Sequence, residues 1–513
     1  MDLSKLTLLK SLTLRTQISK LVGIAFLLLP GLCTNALASE LEEPIAPPIT
    51  TVHTAIIGGH PIKYTATFAE TPVAGDAAHP LASMSSITYL RSDHGASGVN
   101  RPVVFVFNGG PGASSNALHL HALGPRRVMS PDASHHENYF VDNPYSLLDV
   151  ADLVFIDPVG TGLSRVFRGG DGHPYWGPDG DAKSVLILIR EWLKTHGRER
   201  SPIYIAGASY GGYRVATMMK LLGDQHIDGL ILISPLLNVS TMADEDGNEQ
   251  SYINNFPSMA VAAWFHHKTD RRGLDAVAFR SNAEKFAIEE YAPALQLGNR
   301  IPREQRAVIA KKIAAFIGLS VNQVSEANLR ITSEQYLNTL LSGENLRIGR
   351  LDTRMTGLLH AKAASGIPTN DPSLLLRPKD NTTDQYFRQE LKVLTHRNYI
   401  QMTWDINGTW NWSDDRESDH QPRFYFTGGP AIGDVMAAQR NMRAWVGSGL
   451  FDMATPWEGV RYEISHGEIP RDRVTEVVFE TGHALYDTES TLSQFSTSLH
   501  LFIQGASVPD RSH

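Results

Sequence analysis

Ser201 to Gly212 reads SPIYIAGASYGG, and this stretch decides the fold. Ile203-Tyr204-Ile205-Ala206 is a short β-branched and aromatic run behind a proline, which suits a buried strand. It breaks into Gly207-Ala208-Ser209-Tyr210-Gly211, the G-x-S-x-G pattern of a sharp strand-to-helix turn with serine at its tip. A serine held in so tight a turn leaves no room for side chains two residues either side, which gives both glycines a steric reason. Tyr213 to Lys220 reads as a helix, so a helix N-terminus lies just below Ser209 and favours negative charge there. The competing reading is a Gly-rich loop with an incidental serine. The strand before and the helix after favour a nucleophile.

Moving towards the N-terminus, Pro102 to Phe107 is a continuous apolar run, the signature of a strand buried on both faces. It ends in Asn108-Gly109-Gly110-Pro111-Gly112-Ala113-Ser114-Ser115. Open α/β sheets place their ligands at such a turn after a central strand. The pattern is neither G-x-x-x-x-G-K-[ST] nor G-x-G-x-x-G, so nucleotide binding is a weak reading. The other use is a backbone N–H aimed at a developing oxyanion. Leu153 to Ile156 is a further buried run, closing on Asp157-Pro158-Val159-Gly160-Thr161-Gly162. Ala182 to His196 has helical spacing, and Ile227 to Ile233 predicts another strand. Strands and helices alternate from Pro102 to Pro235, which predicts a parallel α/β core. Val52 to Phe68 predicts a hairpin about Gly58-Gly59, and Met84 to Leu90 a further strand, which makes the sheet mixed.

From Leu236 to about Asn441 the rhythm changes. Helices are predicted over Glu284 to Leu297, Arg303 to Ile317, Val321 to Asn328 and Ser333 to Leu341. This stretch reads as a mainly helical lid inserted into the core, with an independent domain as the alternative. Short buried strands return at Ala444 to Ser448 and Thr475 to Phe479.

A serine nucleophile needs a base to take its proton and a carboxylate to orient that base. In α/β hydrolases the order is Ser, then Asp or Glu, then His. With twenty histidines, position has to discriminate. His483 follows the last strand and Gly482. Asp452 follows a strand and Gly449. Both therefore fall on loops at the sheet edge that carries Ser209. Asp434 and Asp487 are rival acids that do not follow a strand in the required place.

The totals exclude little. The chain has 513 residues, 42% hydrophobic and 19% charged, with a net charge of −8. That balance gives no argument for nucleic acid or an anionic membrane as partner. Lys5, Lys10, Arg15 and Lys20 precede the apolar run Leu21 to Leu29, and Ala36-Leu37-Ala38 offers a cleavage site. Residues 1–38 are thus expected to be a signal peptide, with no stable membrane association after its removal. The single cysteine, Cys33, lies in that leader. An exported, disulfide-free product fits a bacterial periplasm or bacterial secretion. The expected division is 1–38 leader, 39–235 first part of the core, 236–440 helical lid, and 441–513 second part of the core with Asp452 and His483.

Several ordered blocks resemble one family, the serine carboxypeptidases of the α/β-hydrolase fold. NGGPGASS (Asn108 to Ser115) resembles the family's NGGPGCSS, IDPVGTGLS (Ile156 to Ser164) its LDQPVGVGFS, and IAGASYGG (Ile205 to Gly212) its GESYGG. GLFD (Gly449 to Asp452) and GHALY (Gly482 to Tyr486) resemble its acid and histidine blocks. The resemblance implies an α/β-hydrolase fold with a mixed, mostly parallel sheet, helices on both faces and a helical lid. It implies Ser209 as nucleophile, His483 as base and Asp452 as its orienting acid. It implies Gly110 and Tyr210 N–H groups as the oxyanion hole, and Asn108 with Gly109 as contacts for the substrate's terminal carboxylate. The implied substrate is a peptide, with esters as the alternative, and no metal or cofactor is called for. A catalytically idle binding protein of the same fold is the remaining reading. Two departures stand out. Ala208 and Ala122 replace two acids that in the family form a hydrogen-bonded pair and help bind that carboxylate. Both are gone together, so no lone charge is stranded.

Overall fold

In the computed structural model, residues 44–508 are described, apart from 46, 76–78, 93–99, 133, 242–243, 364–366, 376–381 and 413–426. The expected leader and Cys33 lie outside the described residues. The path through the main sheet uses nine strands: β1 (Ile49–Ile57), β2 (His60–Gly75), β3 (Pro80–Arg91), β4 (Val103–Phe107), β5 (Asp152–Ile156), β6 (Ile203–Ala208), β7 (Gly229–Ile233), β8 (Arg443–Gly449) and β9 (Val474–Phe479). Their spatial order is β1-β2-β3-β5-β4-β6-β7-β8-β9, and the short strand Arg165–Val166 adds to β3. The first three strands and the β3–β5 pairing are antiparallel. From β5 to β9 every neighbour is parallel.

The alternation along each central strand explains why this segment of chain is a sheet and not a helix. Val104 and Val106 enter the core on one face, while Val103, Phe105 and Phe107 enter the core on the other. The same split divides Leu153 and Phe155 from Val154 and Ile156. Residues that point alternately to two faces, both apolar, leave only a sheet covered on both sides as a solution. Helix Glu489–Ile503 covers one face with Leu492, Phe495, Leu499 and Phe502. Helices Pro178–Thr195, Tyr210–Lys220, Gly429–Ala438 and Trp457–His466 cover the other.

Between β7 and β8 the chain is mainly helical and has an apolar core of its own, built on Phe256, Met259, Phe279, Phe286, Tyr291 and Phe316. Helix Arg303–Ile317 has the predicted bounds. The helix expected from Glu284 starts earlier, at Ala276, because the Asp275 side chain accepts the Ala278 N–H at 2.8 Å and caps it. Helix Glu249–Phe265 was not expected. It contains Pro257 and is buried on most sides, so it lacks the one-sided apolar stripe that marks a surface helix.

Helix Ala276–Phe286 meets helix Trp457–His466 through a buried ionic cluster. Arg280 Nη1 donates to Glu458 Oε1 at 2.7 Å, and Arg461 Nη1 pairs with Glu284 at 2.5 Å and with Glu458 at 3.5 Å. Arg461 Nε also faces Glu476 of β9 at 3.8 Å. Burial pushes the Glu458 carboxyl up to about 7; Arg280 opposes this and the neighbouring Glu284 adds to it. The folded chain then holds a proton that the unfolded chain, with a value of 4.5, has already lost. Stability contributed by this group is therefore lost as pH rises from about 4.5 to about 7, and levels off above. Glu458→Gln keeps a hydrogen-bonding amide that does not titrate. Melting curves from pH 4.5 to 8 should show wild type losing stability relative to the variant across that window, by a few degrees in order of magnitude. A constant difference would refute the assignment.

Candidate active site

Strand β6 ends at Ala208, and helix Tyr210–Lys220 starts one residue later. Ser209 between them has φ 59° and ψ −127°, a strained conformation for a residue with a side chain. The turn is pinned on both sides of the serine. Ser209 N–H donates to Ile233 O at 2.9 Å, and Ser209 O accepts from Gly212 N at 2.8 Å and Leu236 N at 2.9 Å. The glycine requirement is not the symmetric one expected. A Cβ at Gly207 would lie 2.4 Å from Gly211 O, and one at Gly212 2.5 Å from the Pro235 Cβ. At Gly211 the nearest atom is 3.3 Å away, so the tight positions are 207 and 212.

The glycine loop after β4 packs directly on this elbow. A Cβ at Gly109 would lie 2.5 Å from Tyr210 N, so any side chain there would cover that N–H. Among the described residues, neither Tyr210 N–H nor Gly110 N–H has a protein acceptor. The loop is held from behind by a buried pair. Arg214 Nε donates to Asp181 Oδ2 at 2.7 Å, and Arg214 Nη1 donates to Asn108 O at 2.6 Å. Tyr210 OH donates a second bond to Asp181, at 3.1 Å. Burial raises the Asp181 carboxyl above its ordinary range, against the opposing charge of Arg214. Asn108 Oδ1 accepts the Leu118 N–H at 3.2 Å, and Nδ2 has no acceptor among the described residues.

Loops after β8 and β9 bring in the acid and the imidazole. His483 Nδ1 lies 2.7 Å from Asp452 Oδ2. Asp452 is fully buried, and all of its acceptor positions in use face donors. Oδ1 takes the N–H groups of Ala454 at 2.7 Å and Thr455 at 3.1 Å, and Oδ2 takes the Thr455 hydroxyl at 2.8 Å. Burial alone would raise this carboxyl; the charge and hydrogen bond of His483 and the two hydrogen bonds from Thr455 outweigh it and hold it below its ordinary value. Ser234, the residue after β7, donates its hydroxyl to His483 O at 2.8 Å and links the imidazole loop to the Ser209 elbow. Among the described residues neither Ser209 Oγ nor His483 Nε2 has a hydrogen-bond partner; such contacts are often long without substrate.

The rival acids lie elsewhere. Asp434 is within helix Gly429–Ala438. Asp487 is in the loop after His483, 3.6 Å from Arg354 Nη2. Ala122 and Ala208 are buried in the same apolar core.

Sequence reasoning missed what the helical insertion gives to the site. His483 N–H donates to Leu351 O at 2.6 Å, Met453 N–H to Arg350 O at 3.0 Å, and Thr353 N–H to Phe451 O at 3.0 Å. The segment Arg350 to Arg354 thus laces the Asp452 and His483 loops together. A second insertion segment lies over the glycine loops: Met402 pairs with Ala113 and Ile400 with Gly162, both antiparallel. Asn407 Nδ2 donates to Pro111 O at 3.0 Å, and Trp410 meets the Tyr210 ring edge-on with centroids 5.1 Å apart. A cavity of about 590 Å³ opens beside His483, lined among others by His121, Asp352, Arg354, Tyr486 and Asp487. Among the described residues no group of His, Cys, Asp and Glu side chains is arranged to hold a metal ion. Among the described residues no helix is long and apolar enough to cross a membrane.

A mixed, mostly parallel sheet covered on both faces, with a serine elbow after a central strand, defines an α/β hydrolase. A family model described as serine carboxypeptidase matches residues 89–491, and the chain belongs to that family. Over 152 residues it is 32% identical to serine carboxypeptidase-like 36 of Arabidopsis thaliana, covering 28% of this chain and 30% of that relative. Over 128 residues it is 33% identical to the pheromone-processing carboxypeptidase kex1 of Aspergillus clavatus, covering 25% of this chain and 19% of that one. The matched stretches therefore span less than a third of either relative. The solved structure of Kex1(Delta)p, a prohormone-processing carboxypeptidase from Saccharomyces cerevisiae, shares the fold. It matches with a TM-score of 0.53 and 15% identity, over 88% of this chain and 93% of that one.

Proposed function

We propose that this chain is a serine-type carboxypeptidase that hydrolyses C-terminal peptide bonds through an acyl-enzyme on Ser209. In this reading Ser209 Oγ attacks the scissile carbonyl carbon while His483 Nε2 takes its proton. The carbonyl oxygen becomes an oxyanion facing the N–H groups of Gly110 and Tyr210; each such donor is worth about 2.7–4 kcal/mol of barrier. Collapse breaks the C–N bond, and the leaving amine takes the proton from His483. Water then repeats the cycle on the ester. Asp452 orients the imidazole and stabilises its charged form. Asn108 Nδ2 and the Gly109 backbone receive the substrate's terminal carboxylate. The observation that carries this is the bond between His483 and Asp452 on loops laced to the strained Ser209 turn, in a chain of this family.

A second reading, an esterase or acyl hydrolase with the same triad, is favoured by one observation: apolar Ala122 and Ala208 stand in place of the family's acid pair. An exported location goes with the main reading, from the leader expected over 1–38. The bacterial periplasm rests on the cysteine-free remainder of the chain alone. Residues 236–440 are the lid in this proposal. Blocked dipeptides, their C-terminal amides and simple esters separate the two enzyme readings. Release of the last residue from the free acid, faster than from its amide, supports the carboxypeptidase. Cleavage of esters alone would make it an acyl hydrolase.

A further inference from the structure

The cavity beside His483 has a wall that neither the family blocks nor the triad accounts for. In a serine hydrolase the base donates its proton to the leaving group, so the leaving residue lies on the side of His483. The cavity of about 590 Å³ is lined by His483, and the aromatic cluster of Tyr210 and Trp410 is not part of its lining. A leaving residue on the His483 side would enter this space, and in a carboxypeptidase that residue carries a free carboxylate. The acids that help bind that carboxylate elsewhere in the family are Ala122 and Ala208 here. The same wall holds a guanidinium.

Arg354 is fixed in place. Its Nε donates to Asp352 Oδ1 at 2.9 Å and its Nη2 to Asp352 Oδ2 at 2.6 Å, while Nη1 donates to Glu480 O at 3.0 Å. Its guanidinium lies 5.0 Å over the Phe451 ring, beside Asp452. Asp352 in turn rests on the chain just before His483, since a Cβ at Gly482 would be 2.5 Å from the Asp352 Cβ. A guanidinium carries five N–H donors. Three are used by these contacts. The remaining two, one on each Nη, have no acceptor within hydrogen-bond distance among the described residues. The second carboxylate nearby, Asp487, stands off at 3.6 Å and is more exposed than Asp352, 32% against 11%. It is a loose partner that an incoming carboxylate can displace, whereas the two-pronged Asp352 bond is not.

We propose that this cavity takes the leaving residue and that Arg354, clamped by Asp352, receives its carboxylate there, in addition to the Asn108 contact proposed above, and so takes over recognition from the absent acid pair. The proposal rests on the carboxypeptidase reading. It also sets the sign of the neighbour: Asp487 competes with the substrate for the guanidinium.

The test is the ratio of kcat/KM for a blocked dipeptide to that for its C-terminal amide, in wild type, Arg354→Gln, Arg354→Lys and Asp487→Asn. A charge-assisted hydrogen bond lost to one substrate only should lower the ratio in Arg354→Gln by roughly 10- to 100-fold, mostly through KM. Arg354→Lys should recover part of it, and Asp487→Asn should raise it above wild type. Fluorophosphonate labelling of Ser209 in each variant reports that the triad still assembles. An unchanged ratio in Arg354→Gln, with both substrates slowed alike, would leave Arg354 a structural clamp and overturn the proposal. If Arg354→Gln does not fold, an Asp487→Asn ratio at or below wild type overturns it by itself. A wild-type enzyme with no preference for the free acid would instead overturn the carboxypeptidase reading on which the proposal stands.

Discussion

Alanine at Ser209 is expected to cut turnover by a factor on the order of 10⁶ and to leave the fold intact. The size follows from the way the site is built. In the proposed mechanism, loss of Oγ leaves His483 no serine to activate, and the donors proposed at Gly110 and Tyr210 are left with only the slow direct attack of water to assist. The fold should survive because the turn is held by backbone bonds, from Ser209 N–H to Ile233 O and from Gly212 and Leu236 N–H to Ser209 O. The serine hydroxyl has no part in these. A fluorophosphonate probe should label Ser209 in the wild type and nothing in the variant. Labelling of a different serine, or turnover that survives the substitution, would end the nucleophile assignment.

Asparagine at Asp452 is expected to lower kcat by about 10⁴-fold, more than the loss of one charge suggests. The reason is the geometry of the acceptor shell. Oδ1 faces two backbone N–H groups, Ala454 and Thr455, that need an acceptor. The amide oxygen must take that position, which turns the NH₂ towards His483 Nδ1. Nδ1 then becomes an acceptor, and the neutral ring carries its proton on Nε2, where it cannot accept one from Ser209. Kinetics on an activated ester, with near-ultraviolet circular dichroism as the control for folding, check this. A loss of tenfold or less would mean that the ring is oriented by other groups.

How far the sequence could be read depended on how local each signal was. Ser209, Asp452 and His483 each follow a strand and a glycine turn, so their placement on one sheet edge was legible without any long-range information. The central strands were legible because burial on both faces leaves a continuous apolar run. Part of the shell of Asp452 was within reach as well, since Ala454 and Thr455 are two and three residues further on and form a local turn about its Oδ1. Arg354 and Leu351 were not legible. They lie about a hundred residues before Asp452, in a stretch with no periodicity, and reach the site only because the insertion folds back over the loops. Asp181 and Arg214 were hidden for another reason. Polar residues on helices read as solvated faces, and only the packing of helix Pro178–Thr195 against helix Tyr210–Lys220 makes them a buried pair.

The bond from His483 N–H to Leu351 O has a further consequence, for the timing of activity. Asn108, Ser209, Leu351, Asp452 and His483 come from five stretches spread over most of the chain. Contacts between residues so far apart are closed late, because the loop entropy between them is met before any contact rewards it. On the proposed mechanism, a growing chain that has already formed β4 to β7 holds Ser209 without His483, and should be silent as a hydrolase until the last strand has docked. On refolding, helical and sheet signal should therefore recover ahead of turnover. By the same logic, one proteolytic cut that frees the segment around Leu351 should disarm the enzyme while leaving Ser209, Asp452 and His483 in the chain.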